Sequence, residues 1–296
     1  MNRHVVLRFA DGCLIHGDCL TEVPAQFSRP TCQLVYVDPP YNAGVKRSAR
    51  RGVGHRHLGN PAYEDVWGGL SGFLSMLEPR LETWRDVLLP EGSLWLHLDY
   101  RTVHDVKVLA DRVFGHGAFW GEIVWVPGNG ARRRRGPSVT HQTLLLYARG
   151  KDPIYNHDDP ALREPYAATS RSMHFRSTDP DGRNYRERTI AGRTYRYYED
   201  VGRRLGSVWS DCPAMRANTP LDREATGYPT QKPERLLERI VRAASLAGGT
   251  ILDPMCGSGT TLVAARRHRR RWLGVDKSSV AVEIARQRLL GTDTSP

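Results

Sequence analysis

Asp38-Pro39-Pro40-Tyr41 sets a carboxylate, two ring-locked backbone positions and an aromatic ring at the end of a strand-like run. That run, Gln33-Leu34-Val35-Tyr36-Val37, is short and apolar, as a buried strand requires. Open α/β sheets bind ligands at the carboxyl ends of their strands. Pro39 and Pro40 fix φ and restrict the residue before each, so the Asp38 carboxylate, the Pro39 carbonyl and the Tyr41 ring share one geometry. Two acceptors beside an aromatic face suit a flat ring that carries an exocyclic amino group. The same residues also fit a proline turn with an incidental Asp and Tyr.

A second motif, far away in sequence, favours the ligand reading. Thr250-Ile251-Leu252 is another apolar run, and it leads into Asp253-Pro254-Met255-Cys256-Gly257-Ser258-Gly259-Thr260 and then a helical pattern. Strand, glycine-rich turn and helix start form a nucleotide-type site. The glycines allow close backbone approach, and free N–H groups at the helix start favour negative charge. Arg271-Trp272-Leu273-Gly274-Val275-Asp276 supplies a further strand ending in a carboxylate, where ribose hydroxyls are typically held.

Other elements must hold these motifs in place. Leu70, Phe73, Leu74, Leu77, Leu81, Trp84 and Leu88 recur at helical steps, predicting a helix closed by Pro90-Glu91-Gly92. Ser93 to Asp99 reads as a strand, with His97 and Trp95 in the scaffold, and Val103 to Phe114 as a helix. Phe119 to Val126 and Gln142 to Ala148 read as an antiparallel pair at one sheet edge. Leu236, Leu237, Ile240, Val241 and Ala244 mark a helix ahead of the glycine turn. Ser278 or Ser279 caps the last helix.

With 296 residues the chain can bury a sizeable core, and one large α/β domain with an inserted module fits best. Its net charge of +11 implies an anionic partner. The five Cys lack Cys-X-X-Cys pairs and zinc spacing, so reduced thiols and no metal are expected. No apolar run approaches the ~18 residues of a membrane span, and Met1-Asn2-Arg3-His4 precedes no signal-like stretch. A cytoplasmic protein with no membrane partner is expected.

Asp38-Pro39-Pro40-Tyr41, Tyr228-Pro229-Thr230-Gln231-Lys232-Pro233 and Asp253 to Thr260, in that order, resemble the β group of S-adenosylmethionine-dependent DNA amino-methyltransferases. That family modifies adenine N6 or cytosine N4, and the resemblance runs from about Arg8 to Leu290. It implies a circularly permuted Rossmann-like methyltransferase sheet with helices on both faces and an inserted target-recognition segment. The catalytic half would span 1–149, the recognition segment 150–226 and the cofactor-binding half 227–296. It implies Asp38, Pro39, Pro40 and Tyr41 as catalytic residues. For the cofactor it implies the turn Asp253, Pro254, Met255, Cys256, Gly257, Ser258, Gly259 and Thr260 near the methionine portion, with Asp38 beside it. Asp276 would take the ribose hydroxyls, and Thr230, Gln231 and Lys232 the methionine end. Asp18 and Cys19 match a segment near the adenine. Met255 stands where the family usually has Phe, so a flexible thioether replaces a rigid aromatic ring.

Double-stranded DNA is then the expected anionic partner. Gly44 to Gly59 carries Lys46, Arg47, Arg50 and Arg51 with no acidic residue, and is expected to stay mobile until DNA arrives. Arg132, Arg133, Arg134 and Arg135 repel one another unless phosphate neutralises them. Residues 150–226 show no clean helical or strand period, and their interleaved Arg and Tyr suit phosphate contact and base readout. Arg183, Tyr185, Arg186, Arg188, Arg193, Tyr195, Arg196, Arg203 and Arg204 are candidates there.

The implied reaction flips the base out, stacks it on Tyr41 and lets Asp38 and the Pro39 carbonyl accept from its amino group. Adenine N6 is the expected target, since relatives acting on cytosine N4 more often carry Ser at the first motif position. A non-catalytic DNA-binding protein would not need both motifs, and a nicotinamide-dependent oxidoreductase leaves Asp38 to Tyr41 unexplained. A cognate restriction endonuclease, a homodimer and a bacterial, nucleoid-associated location go with the same resemblance.

Overall fold

The computed structural model describes residues 5–42, 44–49, 60–128, 130, 134–215 and 224–292. The chain divides into two compact units, one of Met1–Tyr155 with Ser207–Pro296 and one of Asn156–Gly206.

The larger unit is built on a 9-stranded mixed sheet. Its strands are β1 (Val5–Arg8), β2 (Gly12–His16), β3 (Cys32–Val37), β4 (Leu88–Leu98), β5 (Phe119–Trp125), β6 (Gln142–Ala148), β7 (Val208–Trp209), β8 (Thr250–Asp253) and β9 (Arg271–Asp276). They lie in the order β1-β2-β9-β8-β3-β4-β6-β5-β7. The five central strands β2, β9, β8, β3 and β4 run parallel. Strands buried on both faces need continuous apolar runs, and Leu34, Val35, Tyr36 and Val37 of β3 are all buried. Helices α1 (Cys19–Gln26), α2 (Leu70–Asp86) and α3 (Val103–Phe114) pack together. Helices α4 (Glu234–Ala244), α5 (Thr260–Arg267) and α6 (Ser279–Thr292) form a second layer. No helix among the described residues is long and apolar enough to cross a membrane.

The C-terminal half enters the sheet between β2 and β3, which makes the order of the motifs a permuted one. β5 and β6 do pair antiparallel, with β7 added in parallel beyond them. Ser278 Oγ caps α6 by accepting from Ala281 N–H at 3.3 Å.

Three expectations need correction. Helix α2 ends at Asp86, and Pro90 to Gly92 lie inside the following strand. There the register jumps from Cys32↔Leu88 to Leu34↔Ser93, so Pro90 sits in a bulge where its missing N–H leaves no gap in the ladder. The start of the stretch Gly44 to Gly59 is structured: Val45–Ala49 pairs antiparallel with Asn60–Asp65, while residues 50–59 lie outside the described residues. Residues 150–226 also hold strands. In the smaller unit, Ser177–Thr178, Asn184–Ile190 and Arg193–Tyr198 form a 3-stranded antiparallel sheet. Its alternation is carried by Arg, Tyr and Thr, so a search for apolar periodicity passes over it.

Candidate active site

Four neighbouring parallel strands each deliver an aspartate to the same end of the sheet. Asp276 and Asp253 close β9 and β8, Asp38 follows β3, and Asp18 follows β2. They line one cavity of about 320 Å³. Its walls include Pro39, Pro40, Tyr41, Cys19, Thr230, Gln231 and Lys232, together with Pro254, Met255, Cys256, Gly257, Ser258 and Thr260. Of the residues expected at the catalytic and cofactor sites, Gly259 alone does not line it. A Cβ on Gly259 would stand 2.8 Å from that of Ala285, so this glycine lets α6 pack against the turn at φ +76°.

Each carboxylate has a different environment. Asp38 accepts a hydrogen bond from the Tyr41 hydroxyl at 2.5 Å and forms an ion pair with Lys232 Nζ. Lys232 is buried and also stands 5.4 Å from the Tyr41 ring centroid. The tetrapeptide is held from a second direction. Asp65, at the base of the hairpin and 2% exposed, accepts from Tyr41 N–H at 3.1 Å and Asn42 N–H at 2.7 Å. Burial and the neighbouring Asp38 carboxylate push the Tyr41 phenol well above its ordinary range, so it stays a donor. Below it, Tyr36 lines the cavity and shares a buried 2.8 Å hydrogen bond with His97 Nδ1. Burial, helped by the charge of Lys232, pushes His97 down to about 3, and the ring is neutral.

Asp18 caps α1 through Leu20 N–H and is gripped by Arg80 Nη2 at 2.9 and 3.1 Å and by Lys277 Nζ at 2.8 Å. Burial opposes its ionisation, but these partners outweigh it and hold the carboxyl below the usual range. Asp276 accepts from Gly257 N–H and Ser278 N–H, both at 2.8 Å, tying the glycine turn to the start of α6. Burial still leaves it raised. Asp253, 3% exposed, is pushed up to about 7, first by burial; Thr261 and Met255 N–H counteract, while the Asp38 and Asp276 charges add to the rise. Among the described residues neither Asp253 nor Asp276 has a Lys or Arg in an ion pair. A buried carboxylate with a half-buried one near it and no cation is costly unless a positively charged ligand enters. That fits a sulfonium and ammonium compound such as S-adenosylmethionine.

The turn that borders this acidic floor is held rigidly. Arg288 Nη1 donates to Ser258 O and Thr260 Oγ1, both at 2.9 Å, and its Nη2 donates to Glu234. A Cβ on Gly257, at φ +50°, would approach the Tyr228 ring at 3.1 Å. Gln231 lines the cavity, but its amide is engaged elsewhere, donating to Glu224 O and accepting from Thr226. Thr230 adopts φ 60°, a strained conformation for a β-branched residue, and it turns the chain so that Lys232 reaches Asp38.

Sequence reasoning passed over Arg80, Asp65 and Trp67. Arg80 is a buried cation on an apolar helix face, a signal in itself, since Arg is almost never fully buried unless paired. Asp65 and Trp67 have no local pattern and become recognisable only once the hairpin is folded. Trp67 lines the cavity with its indole N–H buried and unpartnered. Of the basic residues expected to meet DNA, Lys46 and Arg47 lie on strand Val45–Ala49, and Arg134 and Arg135 are exposed. Arg50, Arg51, Arg132 and Arg133 lie outside the described residues.

Known proteins are similar to this chain along most of its length. The type II methyltransferase M.EcaI of Enterobacter cloacae is 26% identical over 86% of this chain, which spans 64% of its length. The DNA adenine methyltransferase YhdJ of Escherichia coli is 25% identical over 93% of this chain and 82% of its own. Among solved structures, the cytosine-N4-specific PvuII DNA methyltransferase superposes with a TM-score of 0.61 at 14% identity, covering 97% of this chain and 89% of its own. The M1.HpyAVI–SAM complex gives 0.56 at 17%, covering 93% and 98%. These likenesses establish the Rossmann-like methyltransferase fold. A family model described as DNA methylase, N6_N4_Mtase, matches residues 32–287, and the chain belongs to that family.

Proposed function

We propose that this protein transfers a methyl group from S-adenosylmethionine to the exocyclic N6 of an adenine flipped out of double-stranded DNA. The observation that carries the reading is the convergence of Asp38 and the glycine turn on one cavity with an acidic floor. The bound cofactor supplies an electrophilic methyl on a positively charged sulfur. Asp253, Asp276 and the Gly257–Thr260 turn are the residues that would hold it, with Asp18 and Cys19 at the far end.

The chain's own residues account for the rest. An ionised carboxylate offers about four acceptor positions. Tyr41 and Lys232 use two at Asp38, which leaves room for an amino group. An aromatic amino nitrogen is a poor nucleophile because its lone pair is conjugated into the ring. Hydrogen bonds to Asp38 and the Pro39 carbonyl draw it towards tetrahedral geometry and stabilise the positive charge that grows as it attacks. The same acceptors lie nearest the proton that nitrogen must then lose. Pro39, Pro40 and the Asp65 clamp keep these groups fixed, so little reorganisation accompanies the reaction. Tyr41 and Trp67, both in the cavity lining, offer stacking that offsets the few kcal/mol of unstacking.

Cytosine N4 is the second reading, favoured by the likeness to the PvuII enzyme. Asp38 and the relative named as an adenine methyltransferase support N6. The name type II methyltransferase among the relatives supports a paired endonuclease. A homodimer and a cytoplasmic, nucleoid-associated location belong to the same reading. Nucleoside mass spectrometry of DNA incubated with protein and cofactor tests the target: N6-methyladenine is expected, and N4-methylcytosine would transfer the reading to cytosine.

A further inference from the structure

The smaller unit contains a β-ribbon whose two faces differ in how their charges are used. Asn184–Ile190 and Arg193–Tyr198 pair in register from Tyr185↔Tyr198 to Ile190↔Arg193. Ala191 and Gly192 connect them with φ of 49° and 76°, a two-residue turn of the type I′ kind. Side chains alternate, so Tyr185, Glu187, Thr189, Thr194, Arg196 and Tyr198 share one face. There every cation is engaged. Arg196 pairs with Glu187 at 3.0 Å and lies 4.1 Å from the Tyr185 ring centroid. Arg183 pairs with Asp200 and lies 4.0 Å from the Tyr198 ring, and Thr189 bonds to Thr194.

On the opposite face, Arg186 stacks inward near Tyr166, Phe175 and Tyr197. Beyond it the ribbon bares Arg188, Ile190, Arg193 and Tyr195. Ile190 is 52% and Tyr195 45% exposed. Among the described residues Arg188 and Arg193 have no carboxylate partner, although Glu and Asp are paired within the same sheet. An isolated two-stranded ribbon is marginally stable in water. Here the cross-strand pairs of the engaged face support it, which frees the other face for a partner.

We infer that this bare face of the ribbon tip is a DNA reader, entering the major groove with Arg188 and Arg193 on base edges. The inference rests on the reading of the protein as a DNA methyltransferase. The major groove is about 12 Å wide and about 8.5 Å deep, and it admits a two-stranded ribbon. Three residue pairs at roughly 3.4 Å each, with the turn, reach that depth. Two free guanidinium groups match the O6 and N7 acceptors of guanine, the commonest specific contact. Tyr195 and Ile190 offer the apolar contact that thymine methyl groups take.

The test uses the full chain and a random pool of duplex DNA, with the bound sequences read out for wild type, Arg188→Ala, Arg193→Ala and a control, T189V/T194V, on the engaged face. Each Arg→Ala variant should lose preference at one guanine position, weakening binding to the wild-type site about 10- to 100-fold. The control should keep the site, and thermal melts should agree among all four. An unchanged bound sequence in both Arg variants overturns the inference. So does weaker binding that is uniform over all sequences, because it would make the arginines phosphate contacts only. Methyl product is measured in parallel. Wild type that selects a site through these arginines but yields no methylated base would contradict the methyltransferase reading and leave the ribbon's role standing.

Discussion

At the residue scale the account depends on two aspartates with different tasks. Asp38 receives Tyr41 and Lys232 and, in the proposed reaction, accepts from the target amino group. Asp38→Ala should lower methyl transfer by at least about 10²–10³-fold, the range for removing one preorganised stabilising group. Cofactor affinity should change only a few-fold by calorimetry, and turnover near wild type would remove Asp38 from the chemistry. Asp253 should report the cofactor's charge. Its folded-state carboxyl is pushed up to about 7. A raised value means the protonated form is favoured on folding, so this contribution to stability is complete below about pH 4 and is lost as pH rises through about 7. A cationic ligand reverses that preference. Binding should therefore release a proton and strengthen up to about tenfold per pH unit below 7. Titration calorimetry in two buffers of different ionisation enthalpy measures this, and identical heats in both would refute it.

At the element scale, the strand pair Val45–Ala49/Asn60–Asp65 ends in the side chain that fixes the tetrapeptide Asp38–Tyr41 proposed to be catalytic. Asp65→Ala would leave the N–H groups of Tyr41 and Asn42 without their acceptor, at a cost of about 1–3 kcal/mol. Because the loss falls on catalytic geometry, kcat should drop while cofactor affinity holds; an unaltered kcat would make the clamp dispensable. In the ribbon, Ala191 occupies a left-handed position. Ala191→Gly should relieve about 1 kcal/mol of strain, visible as slower hydrogen exchange across Asn184–Tyr198. Exchange as fast as wild type would place no strain there. The contiguous motifs were legible in the sequence, since a strand, its exit carboxylate and the next glycine turn all lie within a few residues. So was the parallel core, because β3 and β8 are built on the apolar runs Leu34–Val37 and Ile251–Leu252. Arg80 reaches Asp18 across 62 positions, and no local pattern announces such a pairing. The ribbon was hidden because its alternating residues are polar on both faces. The strand start at Leu88 was hidden by Pro90, which reads as a stop until the bulge is seen.

At the scale of the whole molecule, charge and topology agree. The permuted sheet sets β3, which leads to Asp38, early in the chain and β8 and β9 late, yet β3 and β8 end as neighbours. A net charge of +11 suits a polyanion. Neutralising Arg134 and Arg135, both exposed, should weaken duplex binding and lower its log–log salt slope by up to about 0.9 for each phosphate left without its arginine. A slope equal to wild type would make that pair bystanders. The central claim, amino-group methylation of DNA adenine, is tested most directly by digesting DNA incubated with the protein and S-adenosylmethionine and analysing the nucleosides by mass spectrometry. The account predicts N6-methyladenine, absent from the Asp38→Ala reaction; N4-methylcytosine alone, or no methylated base, would contradict it.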